Sequence, residues 1–429
     1  MLIFISLSDY YIGRKLGQTE IPIHRKRLLI SGLVVNLGLL GFFKYSNFLL
    51  ENIWLALSAL GIHFHRPHYD IILPPGISYF TFASLSYVLD VYYERVHPAR
   101  GRRDYSLFVS FFPKLLAGPI MRAGDFLSQV QQRVSANAAA IESGLFYFLL
   151  GAVKKLVISD QVAGPVNLIF SSPGQYDGLT LLLGALGYAV QIYCDFSGYS
   201  DMAIGSALLL GFKLPENFQM PYSSVTITEF WRRWHITLSA WFRDYVFLPM
   251  EIARKNARNA TLRTTISLTT TMLLCGLWHG AGWNFVIWGG IHGVALAVHR
   301  AWTTWNPLRE LADRRIFQPA WTLFSRLLTL SIVLLAWVFF RAQSLADAGS
   351  YLSRMLLWSH DGTRWVSPYI LLALAAVFFT HLLVNKDRNW AQELPTHAVP
   401  VRITAYAALV VLLSFFGATN AVPFIYFQF

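Results

Sequence analysis

His279 is the first residue of this sequence whose surroundings suggest chemistry. Between Arg263 and Arg300 the chain carries three histidines and no Asp, Glu, Lys or Arg. An ionisable ring in so apolar a stretch costs free energy unless it has a partner or a task. A neutral imidazole is suited to proton transfer near neutral pH. We therefore expect a general acid or base at His279, with a buried histidine hydrogen-bonded to a neighbouring helix as the alternative.

The residues around His279 predict a break in the helix that carries it. Gly276, Gly280 and Gly282 lie within a few residues of it, together with two tryptophans. Broken backbone inside a membrane is tolerated only where protein buries it or where it lines a wet cavity. The sequence therefore predicts a polar cavity in the membrane with His279 at its floor.

His235 is a second candidate, and it follows Arg232 and Arg233 in a segment rich in bulky aromatic residues. Aromatic and basic residues together are typical of a belt that anchors a protein at the membrane interface. The same residues could also form a cationic mouth that holds an anionic acyl carrier, with His235 reaching inward. Both interpretations stay open at this point.

Two further sites place charge among apolar residues. Asp195 and Asp201 lie in QIYCDFSGYSD, where acidic residues mark either a function or a buried pair. The structural alternative is a helix break at residues 197–198, with Asp195 capping it or pairing with a cation. The cations considered for that pair are Arg232, Arg233 and Lys114. Lys114 itself could point at a carboxylate or phosphate, or extend to the membrane interface.

The composition indicates a polytopic membrane protein made of helices. Of the 429 residues 55% are hydrophobic and 14% are charged, whereas soluble domains carry about 25% charged residues. The net charge of +12 falls largely in short loops, where it sets topology and does not suggest nucleic acid. Cys194 and Cys275 allow neither a disulfide framework nor a metal site. We expect a single membrane domain over residues 1–429.

Ten apolar runs are candidate membrane segments. They cover residues 28–50, 71–93, 105–121, 140–160, 177–198, 265–280, 283–299, 322–341, 367–385 and 400–418. The third contains Pro113 and Pro119, which predict a re-entrant or broken helix. Residues 214–250 are too charged to span and too aromatic for a free loop, which predicts short interfacial helices. Residues 300–319 and 342–366 are expected to be polar connectors. His292 is expected to be structural, and His299 to be an interfacial residue.

Five segments of the chain resemble the membrane-bound O-acyltransferase (MBOAT) family, and within it the bacterial members that acetylate alginate and peptidoglycan. They are FFPKLLAGPIMR, QIYCDFSGYSDMAIG, PENFQMPYSSVTITEFWRRWHITLSAWFRDYVFLP, GLWHGAGWNFVIWGGIHG and the terminal PFIYFQF. The resemblance runs over nearly the whole chain. Relatives begin with about two further hydrophobic segments, so the N-terminus is expected to be shorter here.

The resemblance implies a ring of transmembrane and re-entrant helices around a funnel. His279 matches the family's catalytic histidine, and His235 matches its second position across the acyl-transfer tunnel. Residues expected to contact substrate or donor are Arg232, Arg233, Lys114, Asp195, Trp278 and Asn284. No metal and no bound cofactor are implied; the donor is acetyl-CoA or another acyl thioester on the cytoplasmic side. A periplasmic esterase-like acetyltransferase and membrane lipid are the implied partners.

The predicted function is therefore acyl transfer, and more narrowly O-acetyl transfer, towards an extracytoplasmic polysaccharide. The location implied is the bacterial inner membrane, crossed several times. Two other classes fit the buried polar residues and broken helices: a transporter of a polysaccharide precursor, and a non-catalytic scaffold of an exopolysaccharide machine. A dependence on a thioester and on His279 would separate the enzyme from both.

Overall fold

The protein is helical throughout the part that the computed structural model describes. These residues are 1–62, 65, 69–132, 134–255, 259–305, 317–383, 389–419 and 422–427. Among them β-pairing is limited to one isolated bridge between Tyr176 and Thr363. This agrees with the predicted class, because a helix satisfies its backbone hydrogen bonds internally, as lipid requires.

The chain packs into two compact units. The first comprises residues 1–137 and 206–215, and the second comprises residues 138–205 and 216–429. The expectation of one membrane domain over the whole chain stays a prediction. Of the residues singled out above, Lys114 belongs to the first unit, whereas the candidate histidines, arginines and Asp195 belong to the second.

The first unit is built from seven helices among its described residues. They are α1 (Leu2–Gln18), α2 (Pro22–Leu40), α3 (Ser46–Ala59), α4 (Ile77–Tyr92), α5 (Arg102–Ser110), α6 (Phe112–Leu115) and α7 (Ala123–Val130). Helices α2 and α3 join through a π-helical turn at Gly41–Tyr45, so the predicted segment 28–50 is part of a longer helix. Helix α4 begins only at Ile77, after Gly76 has taken a φ of 75°.

The predicted break in segment 105–121 is confirmed. Helix α5 ends at Ser110, Phe111 leaves the helical region with ψ 106°, and α6 lasts only one turn. Pro113 near the start of α6 suits a first helical turn, where a missing N–H costs nothing. The buried rings of Phe111 and Phe126 and the half-buried ring of Phe212 pack around this irregular segment, with centroids 5.0 to 5.3 Å apart.

The second unit contains thirteen helices among its described residues. They are α8 (Ala138–Ala152), α9 (Asp160–Ser171), α10 (Gly178–Leu209), α11 (Ile227–Arg233), α12 (Ile236–Phe242), α13 (Leu248–Ala253), α14 (Ala260–His279), α15 (Trp283–Trp305), α16 (Gln318–Arg341), α17 (Leu345–Leu356), α18 (Pro368–Leu383), α19 (Trp390–Glu393) and α20 (Val399–Phe416). The last four residues of α10 are counted with the first unit. A π-helical turn, Val153–Ser159, joins α8 to α9, and another, Arg243–Phe247, joins α12 to α13.

Four helices of the described residues are long and apolar enough to cross a membrane. They are Pro22–Ala59, Gly178–Leu209, Gln318–Arg341 and Val399–Phe416, and Pro368–Leu382 is a shorter apolar helix. The predicted break of α10 at residues 197–198 is wrong, because the helix continues to Leu209. Gly198 is needed for packing instead: a Cβ there would lie 2.7 Å from the Gly151 carbonyl oxygen.

The short helices predicted for residues 214–250 are confirmed: they are α11, α12 and the start of α13. Their place at the membrane interface stays a prediction. The prediction of plain connectors is partly wrong. Residues 345–356 form the amphipathic helix α17, which buries Ala348, Tyr351 and Met355. Of the other connector, residues 300–305 continue α15, and residues 306–316 lie outside the described part of the chain.

Helices α14 and α15 form a close antiparallel hairpin, and glycine makes this approach possible. A Cβ at Gly276 would lie 2.1 Å from the Phe285 carbonyl oxygen, and one at Gly289 would lie 2.2 Å from that of Met272. Neither contact is sterically tolerable, so only glycine allows the two backbones to touch. The hairpin thereby fixes the position of His279, the last residue of α14.

Candidate functional site

His279 lies at the predicted helix break. Helix α14 ends at His279, Gly280 is extended with φ −159° and ψ 151°, and α15 begins at Trp283. Only 4% of the His279 residue surface is exposed. Its ring is surrounded by aromatic rings, with centroids 4.8 Å from Trp288, 5.2 Å from Phe340 and 5.6 Å from Tyr426. The imidazole is thus shielded from water at the end of a rigid helix.

The two candidate histidines share neighbours. The Trp278 ring lies 4.9 Å from His279 and 6.0 Å from His235. The Tyr426 ring lies 5.6 Å from His279 and 6.5 Å from His235. Trp278 and Tyr426 therefore each contact both histidines, and the contact of Trp278 with substrate or donor stays a prediction.

His235 occupies a sharp corner between α11 and α12. Its backbone is left-handed, with φ 41° and ψ 56°, a conformation that costs a residue with a Cβ about 1 kcal/mol or more. Asn217 holds the corner: its carbonyl oxygen accepts from the Ile236 N–H at 2.9 Å, and its side-chain Oδ1 accepts from the Thr237 N–H at 3.3 Å. The strain is maintained by these contacts and aims the imidazole inward.

The same asparagine sets the tautomer of His235. Asn217 Oδ1 lies 3.0 Å from His235 Nδ1. Because Oδ1 also accepts from the Thr237 backbone N–H, it must be the amide oxygen, so His235 Nδ1 carries the proton. Burial lowers the pKa of His235 to about 3, which keeps the ring neutral. The lone pair of the imidazole is therefore on Nε2, the nitrogen that is not bound to Asn217.

A cavity of about 670 Å³ opens between α11, α12, α14 and α15. Its lining residues are Thr228, Trp231, Arg232, Ile236, Ser239, Ala240, Phe242, Arg243, Phe247, Thr264, Leu268, Thr271, Met272, Cys275, Leu296, His299, Arg300 and Thr303. Three arginines and a histidine belong to this lining, and among the described lining residues there is no Asp or Glu. The lining is therefore apolar with a cationic part, in which Arg243 is ion-paired with Asp244 at 2.7 Å.

The cavity approaches His279 without reaching it. Cys275 lines the cavity and precedes His279 by four residues of α14, so the two share a helix face about 6 Å apart along the axis. Trp231 lines it as well, and its ring is 5.7 Å from Trp288, which in turn contacts His279. His279 itself is not among the described lining residues, so its expected place at a cavity floor stays a prediction.

The two adjacent arginines have different surroundings. Arg232 lines the cavity and is exposed there. Arg233 instead forms an ion pair with Glu229 at 2.9 Å, four residues earlier on α11, and donates to the Gln219 carbonyl oxygen at 3.2 Å. Only Arg232 of this pair faces the cavity, where Arg243 and Arg300 accompany it.

Asp195 does not pair with any cation that the sequence suggested. Its partner is Lys155, at 2.7 Å, so the expected pairing with Arg232, Arg233 or Lys114 is wrong. Lys155 lies in the π-helical turn before α9, 40 residues from Asp195 along the chain. A pair so far apart leaves no local signal in the sequence.

Asn284 and Lys114 also have structural contacts. Asn284 donates to the Ala342 carbonyl oxygen at 2.7 Å and so fastens the first turn of α15 to the end of α16. Lys114 is buried in the first unit, where its Nζ lies 4.5 Å from the centre of the Phe108 ring. Their roles in binding substrate stay predictions.

The other two histidines of the charge-free stretch have identifiable contacts. His292 is fully buried, and its Nδ1 accepts from Trp231 Nε1 at 3.3 Å, which suits the structural role expected of it. His299 Nδ1 lies 2.9 Å from the Thr228 hydroxyl, and His299 also lines the cavity. A role beyond the membrane interface is thereby open to His299.

Sequence reasoning missed Asn217 and Tyr426. Both lie in segments that carried the family resemblance, PENF and PFIYFQF. Their importance depends on contacts with residues 18 positions away for Asn217 and about 150 or more for Tyr426. No periodicity or spacing within a segment records such contacts.

Comparisons with known proteins identify similar chains over most of this length. The model of "MBOAT, membrane-bound O-acyltransferase family" matches residues 101–340. The probable alginate O-acetylase AlgI of Azotobacter vinelandii is 35% identical over 464 aligned residues, covering 99% of this chain and 89% of that protein. The corresponding protein of Pseudomonas putida is 36% identical, with the same coverage.

Relatives with other acceptors are similar as well. The peptidoglycan O-acetyltransferase of Helicobacter pylori is 37% identical, covering 81% of this chain and 68% of that protein. The teichoic acid D-alanyltransferase of Bacillus subtilis is 31% identical, covering 60% of this chain and 66% of that protein. The similarity thus extends across two acyl groups and three polymers.

Proposed function

The chain belongs to the membrane-bound O-acyltransferase family, and we propose that it moves an acetyl group from a cytoplasmic thioester towards an extracytoplasmic polysaccharide. The observation that carries this proposal is a cationic cavity that ends one helical turn from a buried histidine. The cavity supports a thioester donor with an anionic head, and the histidine supports proton transfer at the acyl carbon.

In the proposed reaction a hydroxyl of the acceptor attacks the carbonyl carbon of the thioester. His279 takes the hydroxyl proton as the new carbon–oxygen bond forms. The carbon–sulfur bond then breaks, and the departing thiolate takes that proton from the imidazolium. The products are an ester and a free thiol, with no net change of charge. A positioned base contributes about 10² to 10⁴ in rate, and confinement of both reactants adds to it.

The proposed role of His235 follows from its tautomer. With Nδ1–H bound to Asn217, Nε2 of the neutral ring can accept a hydrogen bond but cannot donate one. A stabiliser of an oxyanion must donate, so the tautomer argues against that role. We assign His235 instead to orienting the acceptor hydroxyl or a donor N–H by accepting its proton in a hydrogen bond.

The donor is proposed to lie in the cavity with its anionic head near the exposed arginines. Guanidinium groups bind phosphate through paired N–H donors. Arg232 and Arg300 lie in the lining, and Arg243, which also lines the cavity, is ion-paired with Asp244 at 2.7 Å. Acetyl-CoA and a carrier-protein thioester share a phosphate joined to a long arm with a terminal thioester. The apolar inner wall, which includes Met272 and Cys275, suits that arm.

The acceptor side is inferred from the relatives. Their names specify acetyl transfer to alginate, acetyl transfer to peptidoglycan and D-alanyl transfer to teichoic acid. The polymers have in common that they are completed outside the cytoplasmic membrane. We therefore propose a multi-pass protein of the bacterial inner membrane, which passes the acetyl group to a periplasmic esterase-like acetyltransferase or to the polysaccharide itself.

The test uses cells that lack this gene and carry either the wild-type chain or His279→Ala. Mass spectrometry of the envelope polymers should show acetyl esters with the wild-type chain and a loss of at least 95% with His279→Ala. Immunoblotting of membranes should show equal amounts of the two proteins. Normal acetylation with His279→Ala would contradict the proposal and favour a non-catalytic scaffold.

A further inference from the structure

A buried ionic cluster in the second unit joins Lys155 and Asp160, which are close in sequence, to the distant Asp195. Lys155 Nζ lies 2.8 Å from Asp160 Oδ1 and 2.7 Å from Asp195 Oδ1. Exposure is 4% for Lys155, 7% for Asp160 and 1% for Asp195. Burying charges costs several kcal/mol per ion, and apolar residues of similar size often serve stability as well or better. Stability is therefore a weak explanation for the cluster.

Each member of the cluster also binds the backbone near the end of the chain. Lys155 Nζ donates to the Val422 carbonyl oxygen at 2.7 Å. The Ile425 N–H donates to Asp195 Oδ2 at 2.8 Å, and the Val422 N–H donates to Asp160 Oδ2 at 3.4 Å. The two oxygens of Asp195 are thus divided, one on Lys155 and the other on residue 425.

The segment so held delivers Tyr426 to the candidate site. The Phe424 ring lies 4.5 Å from Lys155 Nζ, and Tyr426 follows two residues later. The Tyr426 ring is 4.0 Å from Phe196, the neighbour of Asp195 on α10. From there it lies 5.6 Å from His279 and 6.5 Å from His235. The hydrogen bonds to residues 422 and 425 thus join the ionic cluster to the segment that carries this ring.

We propose that Lys155, Asp160 and Asp195 are positioning residues that clamp residues 422–425 and so hold the Tyr426 ring against both histidines. The clamp rests on the proposed function only in the role given to those histidines. The described residues 417–419 and 422–424 are not helical, so their backbone depends on outside partners. Charge-assisted hydrogen bonds fix such a strand of chain more firmly than neutral ones do.

The structure supplies a matched control one residue away. Lys154 pairs with Asp201 at 2.6 Å, joining the same π-helical turn to the same helix α10 as Lys155 and Asp195 do. In the described contacts this neighbouring pair does not bind the backbone of residues 422–425. Asp195→Asn and Asp201→Asn therefore each weaken one buried ion pair, but only the first weakens the clamp, because an amide has a single acceptor oxygen.

The first experiment measures position directly. The full chain in lipid nanodiscs carries the photoreactive residue p-benzoylphenylalanine at position 426, and irradiation is followed by peptide mapping. Cross-links to peptides with His279 or His235 are expected, at least fivefold weaker in Asp195→Asn and within twofold of the parent in Asp201→Asn. Equal yields in Asp195→Asn and the parent, or equal losses in both variants, would overturn the clamp.

A second pair of variants leaves the ionic cluster untouched, so it tests the clamp even if Asp195→Asn does not fold. Ile425→Pro removes the N–H that binds Asp195, whereas Ile425→Ala keeps it. We expect Ile425→Pro to lower turnover at saturating donor about tenfold with the KM for donor within twofold, and Ile425→Ala to lower it less than threefold. Equal effects would contradict the clamp. The cross-linking yield needs no catalysis, so a failure of the proposed reaction would be seen separately, in His279→Ala.

Discussion

At the scale of single residues, the site is defined by the hydrogen bonds and ion pairs of a few side chains. Asn217 fixes the corner that carries His235 and the tautomer of its ring. Arg233 forms an ion pair with Glu229, whereas Arg232 lines the cavity. Two arginines that are adjacent in sequence thus have different contacts.

This separation predicts different kinetics for two alanine variants. Arg232→Ala should raise the KM for the acyl donor roughly tenfold with little change in kcat, because an exposed contact to phosphate contributes about 1 to 2 kcal/mol. Arg233→Ala, the matched control, should leave the KM for donor within about twofold. Initial rates of thiol release over a range of donor concentrations measure both. Similar values of KM for Arg232→Ala and the wild type would place the donor outside the cavity.

The residues predicted from the sequence are those whose signal comes from their neighbours in the sequence. His279 was found from a long stretch without charge, and the break beside it from flanking glycines. The partner of Asp195 was predicted wrongly, because Lys155 lies on another helical turn and Arg232, Arg233 and Lys114 were equally plausible by type. Distances between elements decide such pairs, and a single sequence does not contain them.

At the scale of elements, the α14–α15 hairpin positions His279. The two helices approach so closely that carbonyl oxygens of one contact glycines of the other. Sequence analysis predicted the break, since it follows from the glycines themselves. It did not predict that α10 would run unbroken to Leu209, because Ser197 and Gly198 look like a break unless the facing Gly151 is known.

The hairpin predicts opposite outcomes at two adjacent glycines. Gly289→Ala would place a Cβ 2.2 Å from the Met272 carbonyl oxygen, which must push the helices apart. We expect it to destabilise the protein by about 1 to 3 kcal/mol and to reduce activity more than tenfold by displacing His279. Thermal unfolding in detergent and turnover measure these effects.

Gly290→Ala is the control for Gly289→Ala, because it makes the same substitution at the next position of α15. Its Cβ would meet only the end of the Leu273 side chain, at 3.6 Å, an ordinary contact. Since alanine also favours a helix over glycine by about 1 kcal/mol, stability should be unchanged or higher. A loss of stability in Gly290→Ala equal to that in Gly289→Ala would show that close backbone approach is not what the hairpin requires.

At the scale of the whole molecule, the chain is a helical membrane-bound O-acyltransferase in which the candidate histidines and the cavity lie in the second unit. Composition and apolar runs predicted the class, because lipid permits few alternatives to helices. The cavity, the tautomer of His235 and the place of Tyr426 could not be predicted, because each combines elements that lie far apart in the sequence.

The measurement that tests the central claim most directly is release of free thiol by the purified chain in nanodiscs. Acetyl-CoA and an acetylated carrier protein are offered in parallel, with envelope polymer present. The wild-type chain should release thiol, and His279→Ala should be slower by about 10² to 10⁴. His397→Gln, at a histidine that binds the Glu393 carbonyl oxygen, should match the wild type. A rate for His279→Ala within threefold of the wild-type rate would contradict the role of His279 in acyl transfer.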